Sequence, residues 1–482
     1  MSISPKPITN QALTQAARWR VLAVLLTAIF MSLISISIVN VALPSIQQSL
    51  AASQSDIQWV LSGYALSFGV VLVSAGRAGD IFGRGGFFLI GVLIFTLASV
   101  GAGLAPTAQW LNLARLAQGI GSGFINPQGV GMIQQYFQGA ERGKAFGYFG
   151  TTVGLSVALG PVLGGVLIKF GGVDLGWRLT FLINVPLGLL TLILGYMWFP
   201  RPLIRSLKTV MQQQGQGLRS LDPVGALLFG LAVLCVLLPF VESKHLISWL
   251  LLPLSVLLFY LWLKWERYYI RQGHEPMVNL HIFSTPSYTN GILIMTLYFL
   301  GMTSIWVLIA LYVQQGAGKS AFEASLIGIP SALISAYTAA WSGKRVNRWG
   351  RKIVIGGLGF VILGLSLSIL FILLHEYYQL SIWWLVLSLA VLGIGQGSVV
   401  SPNQALTLAE VPVAYAGSSG AVMQTGQRIG ASVGIALITA IVFALLNTLG
   451  WSWAVSIGFL SIILITAVAM GVAIKDLKRP KV

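Results

Sequence analysis

Polar and apolar positions alternate along this chain in long blocks, not at the period of a strand or of an ordinary surface helix. Apolar runs of about the length that crosses the hydrocarbon core, roughly 20 residues, recur throughout. Fourteen can be marked, at about 21–44, 57–76, 87–105, 110–133, 146–168, 179–199, 223–241, 247–264, 287–313, 323–342, 353–374, 381–408, 417–447 and 450–473. Only helices and closed barrels satisfy their backbone inside lipid, and runs of this length are helices. The pattern predicts an all-α membrane protein with 14 transmembrane helices. The longest breaks lie near 200–222 and 265–286. The first holds Gln212-Gln213-Gln214-Gly215-Gln216-Gly217 and the second mixes charges, so both read as linkers.

The breaks reveal a duplication. Gly76-Arg77-Ala78-Gly79-Asp80-Ile81-Phe82-Gly83-Arg84 joins two spans, and Gly343-Lys344-Arg345-Val346-Asn347-Arg348-Trp349-Gly350-Arg351 repeats it 267 positions later. Gly119-Ile120-Gly121-Ser122-Gly123 matches Gly393-Ile394-Gly395-Gln396-Gly397, and Gly160-Pro161-Val162-Leu163-Gly164 matches Gly430-Ala431-Ser432-Val433-Gly434. Small residues four apart let helix backbones approach closely. The two linkers bracket spans without a counterpart in the repeat. The expected division is therefore a six-helix bundle over 1–200, a linker segment with two inserted helices over 201–286, and a second six-helix bundle over 287–482.

Charge sharpens the picture. Only 9% of the 482 residues are charged, against roughly 25% in a soluble domain. Assigning Lys and Arg to alternate loops puts 23 on one side, and only Lys169, Arg178, Lys244 and Lys319 on the other. Such a bias predicts both termini in the cytoplasm and an even number of spans. It also accounts for the net charge of +17. A nucleic-acid binder would cluster its basic residues on one soluble face; these are spread along one rim. The first apolar run is too long for a cleavable signal peptide.

Two of the 29 basic residues, Arg115 and Arg428, fall inside spans, whereas all twelve acids and all four histidines fall in loops or at span ends. An ionisable group at membrane depth is a functional candidate by default. Around the two arginines lie Asn40, Gln118, Asn126, Gln128, Gln396, Asn403, Gln404, Gln424 and Gln427, and buried amides need partners. Together they predict a wet, neutral-to-positive cavity with Tyr64, Tyr298, Trp306 and Tyr337 as candidate aromatic walls. For Arg115 three roles stay open: a structural donor pinning helices, a part of a coupling apparatus, or a fork for an acidic substrate group.

In this order and spacing the motifs resemble the major facilitator superfamily, and within it the fourteen-helix drug:proton antiporters of the quinolone and quaternary-ammonium type. The resemblance spans nearly the whole chain. It rests on Ile38-Val39-Asn40-Val41-Ala42-Leu43-Pro44, Trp59, Gly63-Tyr64, the turn from Gly76 to Arg84, Arg115 with Gln118-Gly119, Gly154 with Gly160-Pro161-Val162-Leu163-Gly164-Gly165, Gly176-Trp177-Arg178 and Asn184-Val185-Pro186. It implies a bacterial inner-membrane exporter of small amphipathic substrates with protons as the coupling ion. It makes Gly76, Asp80, Gly83, Arg84, Asn347 and Arg351 gate residues, and Gly154, Gly160, Pro161, Gly164 and Gly165 an antiporter motif. Candidate cavity residues are Ser35, Asn40, Arg115, Gln118, Asn126, Gln396, Asn403, Gln424 and Arg428. Two positions depart from the family pattern: Ser35 stands where relatives carry an acid in span one, and the first turn runs on into Gly85-Gly86.

Other classes fit less well. No His-Glu-x-x-His and no Cys/His ligand set is present, so no enzyme, metal or cofactor is expected. Gly318-Lys319-Ser320 lacks the earlier glycine of a phosphate loop, its place being taken by Val313. A carrier of one specific neutral or anionic metabolite, and a channel-like pore, are the alternatives; engagement of a periplasmic adaptor is left unassigned.

Overall fold

The computed structural model describes residues 13–206, 209, 211, 221–241 and 246–478. The glutamine-rich stretch 212–217, Lys6, Lys208, Arg219, Glu242, Lys244, His245, Arg479 and Lys481 lie outside the described residues. The described chain is helical: α1 (Gln15–Ser49), α2 (Gln54–Phe82), α3 (Arg84–Gly103), α4 (Ala108–Tyr136), α5 (Gly139–Leu182), α6 (Asn184–Trp198), α7 (Pro223–Val241), α8 (Leu251–Arg271), α9 (Pro286–Leu311), α10 (Ala321–Trp349), α11 (Arg351–Tyr378), α12 (Leu385–Thr407) and α13 (Ala416–Leu477). Eleven helical stretches among the described residues are long and apolar enough to cross a membrane, which makes this a multi-pass membrane protein.

Two of those stretches are too long for one crossing. Gly139–Trp198 has 60 residues and Val413–Leu477 has 65, about 90 Å or more of helix at 1.5 Å per residue, three times the hydrocarbon core. Each turns back at one glycine in a backbone conformation closed to other residues: Gly172 (φ 68, ψ −168) and Gly450 (φ 73, ψ 175). The apolar pattern breaks at 169–178 and at 448–449; the structure puts the turns at Gly172, inside the first break, and at Gly450, one residue past the second.

Duplication is visible in local detail. Helix α2 opens on a reciprocal cap between Ser53 and Asp56, and α10 on the same cap between Ser320 and Glu323. Both helices have 29 residues and both end on a positive-φ glycine, Gly83 or Gly350, before the next helix begins at Arg84 or Arg351. The glycine repeats form seams within each half. Gly160 and Gly164 of α5 close on Ser37 and Ile38 of α1, and Gly430 and Gly434 of α13 close on Thr296 and Leu300 of α9. Gly119 meets Tyr64 and Ser67 while Gly121 meets Gly91 and Phe95, so α4 wedges between α2 and α3. In the other half Gly393 meets Ser331 and Gly395 meets Gly357, so α12 wedges between α10 and α11.

The first half (α1–α6) meets the second (α9–α13) along α5 against α10 and α2 against α13. Helices α7 and α8 pair with each other, and α7 lies against α2, Leu237 and Val233 fitting over Gly69. Trp262 of α8 packs edge-on to Phe229 of α7 with ring centres 5.1 Å apart.

A junction between the halves and two interior arginines

At the end of the bundle where α1 begins and α2 finishes, the halves are tied together by charge-assisted hydrogen bonds. Asp80, its side chain 1% exposed, accepts from the backbone N–H of Gly417 (2.9 Å) and Ser418 (2.9 Å) and from the Ser418 hydroxyl (3.0 Å). These donors open α13, so the carboxylate also faces the positive end of that helix. Arg84 clamps Asp80 through Nε (2.9 Å) and Nη2 (2.7 Å), and reaches the Val413 carbonyl (2.5 Å) and Gln135 (2.6 Å). Gln134 adds bonds to the carbonyls of Leu408 and Val411, both 2.8 Å. Small residues make the approach close: a Cβ on Gly76 would sit 2.8 Å from the Gly417 carbonyl oxygen, and Gly143 faces Gly343 backbone to backbone.

The repeat copy is wired differently. Arg351 pairs with Asp476 (2.6 Å), bonds to Asn403 and donates to the Ser287 carbonyl (2.9 Å), all within the second half. Asn347 is exposed. Asn403, expected in the cavity, is thus held at this end by Arg351 and by its bond to the Gly291 carbonyl (2.9 Å). The duplication supplies one junction and one internal clamp, because only the first copy retains the acid.

Deeper in the first half, Arg115 is 1% exposed and enclosed by neutral acceptors. It donates to the Val60 carbonyl (2.8 Å), Gln118 (2.9 Å) and Ser35 (3.4 Å), and its guanidinium lies 4.5 Å from the Tyr64 ring. Gln118 passes the chain on to Ser99 (2.8 Å), so one arginine links α1, α2, α3 and α4. Beside it the Tyr64 hydroxyl joins Ser32 (3.0 Å) and Ser122 (2.5 Å), and Asn126 donates to the Ser122 carbonyl (3.1 Å). Arg428 is placed otherwise: its guanidinium lies 4.4 Å from the Phe68 ring of the opposite half, and it stays partly accessible.

A cavity of about 130 Å³ lies between the halves, lined among others by Gly154, Tyr298, Met302, Trp306, Ser335 and Gln396. Of the expected aromatic walls, Tyr298 and Trp306 line it, Tyr64 packs on Arg115, and Tyr337 points outward at 71% exposure. Asn40 is exposed on α1. In the glycine motif of α5, Gly154 faces Ala332 and Ala336 across the halves and a Cβ on Gly165 would meet nothing within 4 Å. Pro161 lies inside the same helix.

Two acids correct a simple reading of the chain. Asp222 and Glu266 lie near helix ends, yet both are fully buried. Asp222 accepts from Trp265 (2.7 Å) and the Gly225 N–H (2.9 Å), and nearby Arg77 of α2 pairs with Glu275 at 2.8 Å. The flanking Trp262 and Trp265 were the available signal that this helix end is covered. Gly430-Ala431-Ser432-Val433-Gly434 has the spelling of a hydrolase nucleophile turn, but it runs within continuous helix, and that motif requires a strand–turn–helix.

A duplicated all-helical bundle with its halves joined at one end and a cavity between them defines a membrane carrier. The chain belongs to the Major Facilitator Superfamily, whose profile matches residues 25–435 and 291–481. It is 31% identical over 439 residues to a probable actinorhodin transporter of Streptomyces coelicolor, covering 90% of this chain and 74% of that one. It is 28% identical to the multidrug resistance protein Stp of Mycobacterium tuberculosis, over 87% of this chain and 75% of Stp. The proton:xylose symporter XylE shares the fold, with a TM-score of 0.65 at 16% identity over 94% of this chain and 95% of that one. The family and these relatives are transport proteins, not enzymes.

Proposed function

We propose that this chain is a fourteen-helix exporter of drug-like amphipathic molecules, working by alternating access in exchange for protons. Dividing the two overlong stretches at Gly172 and Gly450, and counting α4, whose buried amides and glycines lower its hydropathy, supports fourteen crossings. Relatives named for an antibiotic and for multidrug resistance support a drug-like cargo. The basic bias puts the Asp80 junction and both termini in the cytoplasm of a bacterial inner membrane, so this conformation is closed toward the cytoplasm.

The observation that carries the mechanism is the Asp80 carboxylate bound to the Gly417 and Ser418 N–H groups. These bonds are among the polar contacts that tie the two halves together, and a carrier must break and remake such contacts in every cycle. Asp80, Arg84, Gly76 and Gly83 form the cytoplasmic gate in this reading, with Arg351 and Asn347 shaping the opposite half. Helix α1 contains no Asp or Glu, and Ser35, at the place of the expected acid, accepts a bond from Arg115.

Transport into proteoliposomes under an imposed pH gradient, screened over cationic, neutral and anionic amphiphiles, tests this. Saturable uptake that depends on the gradient and shows counterflow is expected. Unsaturable flux or single-channel currents would assign a pore.

A further inference from the structure

The interior holds two arginines that the repeat does not relate, since the offsets of 274 and 270 place Leu389 opposite Arg115 and Ala158 opposite Arg428. Neither makes an ion pair with a described residue. Their situations differ in a way the sequence does not show. Arg115 is enclosed, with its Nε held by the Val60 carbonyl and its Nη1 by Gln118 and Ser35. Arg428 is partly accessible and makes no hydrogen bond among the described residues. It lies twelve residues into α13 from Ala416, roughly 18 Å along the helix axis and so near the middle of the bilayer.

The amides beside it are also left with donors to spare. Gln424, one turn earlier on α13 and 6% exposed, has a buried Nε2 without an acceptor, and so does Gln427. A buried donor without an acceptor is costly, and a guanidinium at this depth costs more. An arginine cannot relieve that cost by losing its proton. Phe68 covers one face of the guanidinium, which leaves the edge of its fork for a planar acceptor. The flanking ring belongs to the first half and the arginine to the second, so the place lies on the boundary that opens and closes.

We propose that Arg428, with the amides of Gln424 and Gln427, binds the carboxylate or phenolate of an anionic amphiphilic substrate. This rests on the exporter reading and names its substrate class. Arg115 is then a positioning residue: it braces the first bundle through Nε and Nη1 and adds a second positive charge, but it is only 1% exposed. A lone cation meets two like charges and no carboxylate, so nothing offsets its lost hydration.

Equilibrium binding to the purified full-length protein tests the assignment. Fluorescein and rhodamine 6G share a xanthene core and differ in charge, and a neutral coumarin is the third probe. The wild type is expected to bind fluorescein about tenfold or more tightly than rhodamine 6G, the equivalent of one charge-assisted hydrogen bond. Arg428→Gln removes that preference without weakening rhodamine 6G. Arg428→Lys keeps part of it, since charge remains while the fork is lost. Equal wild-type affinities, or an anion preference untouched by Arg428→Gln, overturn the proposal; so does displacement of fluorescein by millimolar chloride, which would make this a site for free inorganic anions. If Arg428→Gln does not fold, the wild-type ratio decides alone. Anion preference without transport in energised vesicles counts against the exporter reading only, and transport without preference against this site only.

Discussion

At the scale of single residues, Asp80 has an unusual concentration of partners: three donors from the second half and two from Arg84. Bonds to a charged acceptor contribute about 1.5–3 kcal/mol each, enough to bias a two-state junction strongly. Asp80→Asn keeps the shape but removes the charge. Efflux is expected to fall about tenfold or more, the cost of one such bond, with a lowered melting temperature, because Arg84 loses its ion pair, but with a cooperative melt and normal expression. A collapse of melting temperature and expression would make Asp80 a folding residue. In the second half, Arg351→Gln leaves Asp476 buried without its ion pair, a loss of about 3–5 kcal/mol, whereas exposed Asn347→Ala changes stability by at most about 0.5 kcal/mol; melting of the two variants side by side checks both. The motif itself was legible because a glycine-bounded turn between apolar runs is a local signal. Its partners were not: Gly417 lies 337 positions from Asp80, and Asp476 lies 125 from Arg351.

At the scale of elements, glycines act where helices touch. A side chain on Gly160 would overlap Ser37, and one on Gly434 would overlap the carbonyl oxygen of Leu300, a backbone atom that cannot move aside. Gly434→Val is therefore expected to separate α13 from α9 and abolish a cooperative melt. Gly165→Ala, with nothing within 4 Å, is expected to leave melting unchanged or raise stability by about 0.5–1 kcal/mol through helix propensity. Equal sensitivity at both positions would refute a packing role for the seams. The repeat of glycines was readable from spacing, and so was tight packing. That these seams lie within each half, with the inter-half approach made instead by Gly76, Gly143, Gly147 and Gly343, emerged only in three dimensions.

At the scale of the whole molecule, orientation carries the function: a chain with its Asp80 junction on the outer face would be closed on the opposite side. Reporter fusions after Arg205, Lys352 and Lys481 are expected to report cytoplasm, and fusions after Ala52, Lys244 and Lys319 the outside. A cytoplasmic signal at Lys319 would break the two-half arrangement. The inserted pair also belongs at this scale. Helix α7 lies against α2 and touches α13, and Arg77 of α2 pairs with Glu275 beyond α8, so the insertion braces the seam along which the halves meet.

The number and length of apolar runs, their repeated motifs and the asymmetry of basic residues were all determined by the sequence itself. Each is a sum of transfer free energies along the chain, and such sums need no knowledge of neighbours. Of the polar residues expected in the cavity, by contrast, Gln396 alone lines the one described between the halves. The tertiary structure alone decided which arginine is enclosed and which is left with free donors, that Asn403 serves a clamp, and that Asp222 and Glu266 are buried. These outcomes depend on how each helix is rotated about its axis. A soluble helix reveals its rotation through a polar face, but a helix in lipid is apolar toward both its core and its surroundings. The linear pattern therefore carries depth in the membrane and almost nothing about direction, and direction selects the partners.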